Sequence, residues 1–271
     1  SDIKFFSKTN KGDKELDITP TLLSYKMILD GNIVGIINFV NNKIVASFKL
    51  ENKQFEITEF NGNYVLFEAT NSINSSNFSC AVENNYESIS PPISQLPQST
   101  PVCVELAVVI DFYTRQTFNS DLESINWALA IFAGVSQIYE SETNAAIQVT
   151  YTYIWNIMDP YASSPGQAGA MLSGLRNYWQ TNNAAINRDL VHLLTKRSNT
   201  GTGGIAYLDV LCSNNSGYGF SSGLNNDTTY TFPNPSYTWN LFVCSHELGH
   251  NFGANHTFWC GWVSDPSIPF A

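Results

Sequence analysis

Positive charge is scarce in this chain. Against 23 Asp and Glu stand only 13 Lys and Arg, leaving a net charge of −10 and a pI near 4.7 over 271 residues. Phosphate-rich partners favour a basic surface, so this balance speaks against nucleic acid and against an anionic membrane face. Long apolar runs are missing as well. No stretch of about 18 such residues exists to span a bilayer, and Ser1 to Asn10 lacks the basic start and apolar core of an export signal, so any such signal is expected to have been removed already. Cysteine is sparse: Cys80, Cys103, Cys212, Cys244 and Cys260 form no C-x-x-C pair, which excludes a zinc ribbon and a thioredoxin-type redox centre. Their odd number leaves at least one without a partner in the chain. What is plentiful is apolar material, 43% of residues, enough for one large or two modest cores.

Histidine is rare, at four residues, and three of them fall in the eleven-residue string from His246 to His256. On an α-helix, positions four apart share a face, so His246 and His250 can aim an imidazole nitrogen at one point. Glu247, roughly 100° round from His246, lies beside that point, where a carboxylate can take a proton from zinc-bound water. A third ligand at His256 requires the helix to stop and the chain to turn back, and Gly253 can adopt the positive φ such a turn needs. Three neutral imidazoles leave the fourth zinc position open, as in a catalytic site rather than a structural one. The opposite face of the same helix, Leu241, Cys244, Leu248 and Phe252, is an apolar stripe suited to packing. His192, by contrast, falls in a predicted strand and is expected to be structural.

Along the chain, Ile33–Val40, Lys43–Leu50, Gln54–Phe60 and Tyr64–Glu68 are short alternating runs separated by Asn-rich turns, the pattern of an antiparallel meander. From Asn71 to Pro101 the composition shifts to Ser, Asn and Pro, as in a linker or extended arm. A second module follows. Val104–Ile110 reads as a strand, and Ser120 to Glu123 as a capping box opening a long helix with Leu122, Ile125, Leu129, Phe132 and Val135 inward. Ala146–Trp155 reads as a strand and Gln167–Gln180 as a helix burying Met171, Leu172, Leu175 and Trp179. Leu190–Thr195 is expected to be another strand. The βαβαβ order predicts a mixed sheet flanked by helices. Gly201 to Gly204 is read as a turn before a strand over Ile205–Leu211, since no Lys-Ser/Thr follows to make a phosphate loop.

The string HELGHNFGANH resembles the H-E-x-x-H-x-x-G-x-x-H signature of the metzincin zinc endopeptidases. Val104 to Asp111, Arg188 to Thr195 and Ala206 to Cys212 resemble three strand regions of the adamalysin/reprolysin branch, and Gly204 to Leu208 resembles its edge strand over the cleft. This resemblance implies an α+β chain. A small antiparallel β pro-domain with its linker is expected over residues 1–98, followed over 99–271 by a metzincin-type α/β catalytic domain with a mixed five-stranded sheet and a long zinc-binding helix. It also implies calcium ligands at Glu105 and Asp189, for which two solvated strand-end carboxylates are the other reading. Cys212 and Cys260 match positions that form disulfides in the family. Pro-domains commonly hold such enzymes quiet by ligating the open zinc position, which makes Cys80 a candidate latch; a plain thiol or a disulfide-bonded cysteine is the alternative. Metzincins carry a methionine turn after the third histidine, whereas this sequence has Met27, Met158 and Met171 and none after His256, so a continuing chain is expected.

The expected function is that of a secreted zinc-dependent endopeptidase in latent form, acting on protein or peptide substrates, with Zn2+ and a second Ca2+ site as its metals. Glu247 is the general base and His246, His250 and His256 are the zinc ligands. The alternative is a degenerate relative that binds zinc and a protein partner without cleaving it. Oligomeric state and cleavage preference are not legible.

Overall fold

The computed structural model describes residues 3–69, 79–81, 102–161, 166–211, 213–224 and 237–256. The chain opens with a hairpin, β1 (Lys4–Thr9) and β2 (Gly12–Glu15), and continues into five strands, β3 (Leu23–Leu29), β4 (Asn32–Val40), β5 (Lys43–Leu50), β6 (Lys53–Phe60) and β7 (Asn63–Glu68). These five form an antiparallel meander in sequence order. Two-residue turns connect them, and every turn residue has a positive φ: Asp30 and Gly31, Asn41 and Asn42, Glu51 and Asn52, Asn61 and Gly62. Such turns match the right-handed twist of the flanking strands, which is why Asn, Asp and Gly recur there.

The second half supplies β8 (Val102–Ile110), the short helix α1 (Phe112–Arg115), α2 (Asp121–Thr143), β9 (Ala145–Trp155), α3 (Ala168–Asn182), β10 (Leu190–Leu194), β11 (Gly204–Ala206), β12 (Tyr218–Ser221) and α4 (Tyr237–Asn251). Ser120 caps α2, its hydroxyl accepting from Glu123 N–H at 3.1 Å. Glu123 in turn accepts from the N–H of Asn119 at 3.0 Å, so the predicted capping box closes one residue earlier than the ideal pattern.

The fold is mixed α/β, but the expected five-stranded sheet has seven strands, in the order β11-β12-β10-β8-β9-β1-β2. The additional pair is the N-terminal hairpin. β1 runs parallel to β9, with Phe5 opposite Thr152 and Ser7 opposite Ile154. Without it, β9 would present a row of unpaired backbone groups at an edge. The pairing was not readable locally because β1 and β9 lie more than a hundred residues apart. The strand expected over Ile205–Leu211 is shorter than predicted, ending at Ala206, where the chain leaves the sheet.

Side chains of β8 alternate between two cores. Val104, Leu106, Val108 and Ile110 face α2 and α4, while Ala107 and Val109 face α3. Met171, Leu172, Leu175 and Trp179 of α3 are all buried, as their spacing predicts. Ile36, Val40 and Val45 of the meander join the first core from its far side. The layers are therefore α3, the seven-stranded sheet, the pair α2 and α4, and the five-stranded sheet.

α2 and α4 approach closely at Gly134. A Cβ there would lie 2.5 Å from Leu241 Cδ2 and 2.7 Å from the Tyr237 hydroxyl, and that hydroxyl donates to Ala130 O at 2.9 Å. Gly134→Val should therefore cost about 1–3 kcal/mol through overpacking. The expected outcome is a lower melting temperature, measured by calorimetry against wild type.

Candidate metal centre

Two turns of α4 carry His246, Glu247 and His250, and the chain then reverses. Gly253 has φ +93°, its N–H bonds His250 O at 2.9 Å, and Ala254 N–H bonds Gly249 O at 2.9 Å. That pair of bonds is a Schellman closure with glycine in the left-handed position, the turn the sequence requires of Gly253. It returns the chain so that His256 lies beside the other two. Ring centroids are 4.8 Å apart for His246 and His250, 4.7 Å for His250 and His256, and 5.4 Å for His246 and His256.

A fourth side chain enters the group. Ligand atoms of Cys80, His246, His250 and His256 all lie within 4.8 Å of one another. Cys80 Sγ is 3.4 Å from His250 Nε2, and His250 Nε2 is 3.1 Å from His246 Nε2. Donor atoms tetrahedrally arranged round zinc at the usual bond lengths of 2.0–2.3 Å stand about 3.3–3.8 Å apart; the pairs at 3.1 and 3.4 Å stand near that separation, and the whole group, within 4.8 Å, is of a size to close on such an ion. The protonation pattern fits it too. Ala254 O can only accept, so at 2.7 Å it holds the proton on His250 Nδ1 and leaves the Nε2 lone pair facing the group. Burial, together with the neighbouring imidazoles, pushes His246 down to about 4; burial also lowers His250, with His256 adding to the effect, and it lowers His256. All three rings are thus neutral near pH 7 and need lose no proton to bind a metal.

Glu247 lies behind the histidines, fully buried. Its Oε1 has no hydrogen-bond partner among the described residues, and its Oε2 lies 3.7 Å from Cys80 Sγ, which donates to it. Burial pushes this carboxyl up to about 8, with the thiol's hydrogen bond acting the other way. It fits against β11 because Gly204 has no side chain: a Cβ there would lie 2.5 Å from Glu247 Cδ.

β11 is an edge strand, and residues 79–81 line its free side. Cys80 bridges Gly204 in parallel, Gly203 N–H donates to Ser79 O at 2.6 Å, and Ala81 N–H donates to Gly204 O at 3.2 Å. Thr202 Oγ1 adds a donor to Ser79 O at 2.6 Å.

The remaining sequence candidates lie elsewhere. Glu105 and Asp189 come together, but through protein hydrogen bonds: Asp189 Oδ2 accepts from Glu105 N–H at 2.8 Å, and Glu105 Oε2 accepts from Asn187 at 2.7 Å. His192 is buried in β10, 2.8 Å from Ser221 Oγ, away from the cluster. No disulfide occurs among the described residues, where Cys103 and Cys244 are thiols; Cys212 and Cys260 lie outside those residues. Sequence reasoning missed the role of Gly204 against Glu247. Its signal was the glycine pair opening a strand, which marks close approach of another group.

Residues 100–264 match the metallo-peptidase family M12, reprolysin type. The chain belongs to that family, the metzincin-like metallopeptidases, so proteins or peptides are its class of substrate. No curated protein matches it significantly. Among solved structures it is similar to metalloproteinase-II from Bacteroides fragilis, with a TM-score of 0.50 and 12% identity over 93% of this chain and 75% of that one. A chaperone-substrate complex overlaps at a TM-score of 0.41, with 12% identity over 79% of this chain and 28% of that one, too weak to carry an argument.

His192 supplies a test of the electrostatics apart from the metal. Burial lowers it from its ordinary 6.5 to about 3. The unfolded chain takes up a proton below about pH 6.5 and the folded chain does not until about pH 3, so stability falls with pH across that window. Between pH 6.5 and 5 the loss is about 2 kcal/mol. Urea unfolding of wild type and His192→Gln at both pH values should show the variant losing that much less.

Proposed function

We propose that this chain is a secreted zinc-dependent endopeptidase held latent by its own N-terminal part, with residues 1–98 as the pro-domain and 99–271 as the peptidase domain. The observation that carries this reading is the convergence of Cys80 with His246, His250 and His256 in front of Glu247 and beside the edge strand β11.

The donor set suits zinc: three neutral imidazoles and one sulfur gathered within 4.8 Å, with a carbonyl fixing the tautomer of one ring. His246, His250 and His256 would hold the ion. When bound, zinc supplies Lewis acidity towards a peptide carbonyl and towards water. The chain's own groups do the rest. Glu247, which burial holds towards the neutral form and a bound zinc ion's charge would favour as the carboxylate, would accept the proton of the attacking water at Oε2, the oxygen that Cys80 covers in this structure, and pass it to the leaving amine. An extended substrate takes the place of residues 79–81 along β11, giving a carbonyl to Gly203 N–H and an N–H to Gly204 O. Burial of Glu247 against Gly204 keeps bulk water from its carboxyl.

Cys80 is then a latch with two points of action. As a thiolate its sulfur would complete the ligand set, and the same side chain stands over the proton acceptor. Export belongs to the same proposal, because a chain that covers its own metal site can be made and translocated without digesting its neighbours. Calcium at Glu105 and Asp189 has weaker support, since both carboxylates already accept protein hydrogen bonds.

Metal analysis of the purified chain should give one zinc per molecule, lost in His250→Ala and in His256→Ala; retention in both variants refutes the ligand assignment. In the protein cleaved in its connector, Glu247→Gln should keep its zinc and lose about 10² to 10⁴ in turnover. Cys80→Ser should raise peptide hydrolysis by the uncleaved chain, because a hydroxyl is a far poorer zinc ligand than a thiolate. Full activity of uncleaved wild type would reject the latch.

A further inference from the structure

The five-stranded sheet does something besides lying over the peptidase half. It ends the active-site helix. Glu56, from the middle of β6, is wholly buried, and its two carboxylate oxygens accept from the first turn of α4: Oε2 from Thr238 N–H at 2.8 Å and Oε1 from Tyr237 N–H at 3.4 Å. The next strand adds Ser47, cross-strand partner of Glu56, with its Oγ 2.8 Å from Thr238 Oγ1 and accepting from Gln54 at 2.7 Å. From β4, Asn38 donates to the Tyr237 hydroxyl at 2.5 Å. One buried polar side chain from each of three adjacent strands therefore meets the same helical turn.

A buried carboxylate is costly unless its charge is compensated. Here the compensation is the N-terminus of a helix, with N–H groups that lack intrahelical acceptors and the positive end of the macrodipole. The arrangement is reciprocal, since the carboxylate accepts from N–H groups of the helix's first turn. A capping side chain commonly lies one residue before a helix; this acceptor comes from about 180 residues earlier in the chain.

We infer that Glu56 is a positioning residue for the metal centre, so that the segment read above as inhibitory also builds the site it covers. His246 stands nine residues beyond Tyr237, about 13 Å along the helix axis at 1.5 Å per residue. A tilt of about 5° at the first turn would move the imidazole by about 1 Å, enough to spoil a site whose donor atoms stand at bonding distances. The C-terminal end of α4 is fixed by the Gly253 turn and the N-terminal end by Glu56. The inference rests on the zinc reading for its consequence at the metal, but not for its effect on the helix.

The test uses the full chain in four forms: wild type, Glu56→Ala, Glu56→Gln and, as a control, Glu59→Ala, a half-buried residue of the same strand whose carboxylate pairs with Lys43 of β5. Zinc affinity is read by competition with a chromogenic chelator, the absorption of the cobalt-substituted protein reports ligand geometry, and hydrogen exchange reports the amides of α4. Glu56→Ala should bind zinc about tenfold more weakly, the loss of a helix cap expressed as a change in affinity. It should also shift the cobalt spectrum and exchange the first two turns of α4 faster. Glu56→Gln, which keeps an acceptor and loses the charge, should recover part of each effect, and Glu59→Ala should match wild type. A lower melting temperature for Glu56→Ala with unchanged zinc affinity and unchanged cobalt spectrum would make Glu56 merely structural and overturn the inference. Should Glu56→Ala not fold, Glu56→Gln decides: wild-type values for it in all three readouts overturn the inference, and a smaller change in the same direction upholds it. If wild type itself binds no zinc, the zinc reading fails, and accelerated or unchanged exchange in α4 still decides the role of Glu56.

Discussion

A helix that presents two imidazoles on one face to a common point works only if both its ends are held in the frame of the third ligand. α4 meets that constraint by two different devices. At its C-terminus the left-handed Gly253 and the Ala254 carbonyl fix the turn, the path to His256 and the proton on His250. At its N-terminus the buried carboxylate of Glu56 accepts from the N–H groups of Tyr237 and Thr238. Between the ends, Tyr139 of α2 donates to Ser245 O at 2.8 Å, and Leu241 packs into the gap that Gly134 leaves. The seven-stranded sheet, the two helices beneath it and the meander all contact this one helix or an element that does.

Much of that arrangement was legible in the sequence, and the part that was not has a common cause. HELGHNFGANH is local: helical periodicity, one glycine and three histidines suffice to place the ligands, and they meet as their spacing requires. Four of the meander's five strands were equally plain from alternation and from Asn-rich turns; β3 (Leu23–Leu29) was not among them. Alternation defines two faces, however, without saying which turns inward. In β6 the polar residues Glu56 and Thr58 are buried while Phe55 and Ile57 are only half so, the inverse of the usual assignment. What selects that face is a helix terminus some 180 residues on, and no local pattern contains it. β1 was missed for the same reason, its partner being non-local, and β12 because four residues of Tyr, Gly, Phe and Ser give too short a periodic signal.

The cluster also shows how a carboxyl can be buried beside a group of imidazoles. Gly204 lets an edge strand come down on Glu247, and burial raises that carboxyl towards neutrality. The same strand keeps its outer hydrogen-bonding groups free of the sheet, so whatever extended chain lies there is aligned by backbone contacts rather than by its side chains. Residues 79–81 use those contacts with a cysteine at the central position.

The parallel pairing of β1 with β9 bears on how the two halves of the chain could ever part. The N-terminal stretch holds on at two separate places, as a strand inside the seven-stranded sheet and as the cap of α4, and both belong to one continuous segment. After a single backbone cut between β7 and β8 it would be a bivalent ligand of the remainder. Each contact that opened would be re-formed at the high local concentration set by the other, so departure needs both to be open at once. Lifting Cys80 away from the histidines needs neither. On the pro-domain reading proposed above, unblocking the cleft and shedding the N-terminal segment would be kinetically distinct events, and a nicked molecule would persist as a two-chain protein.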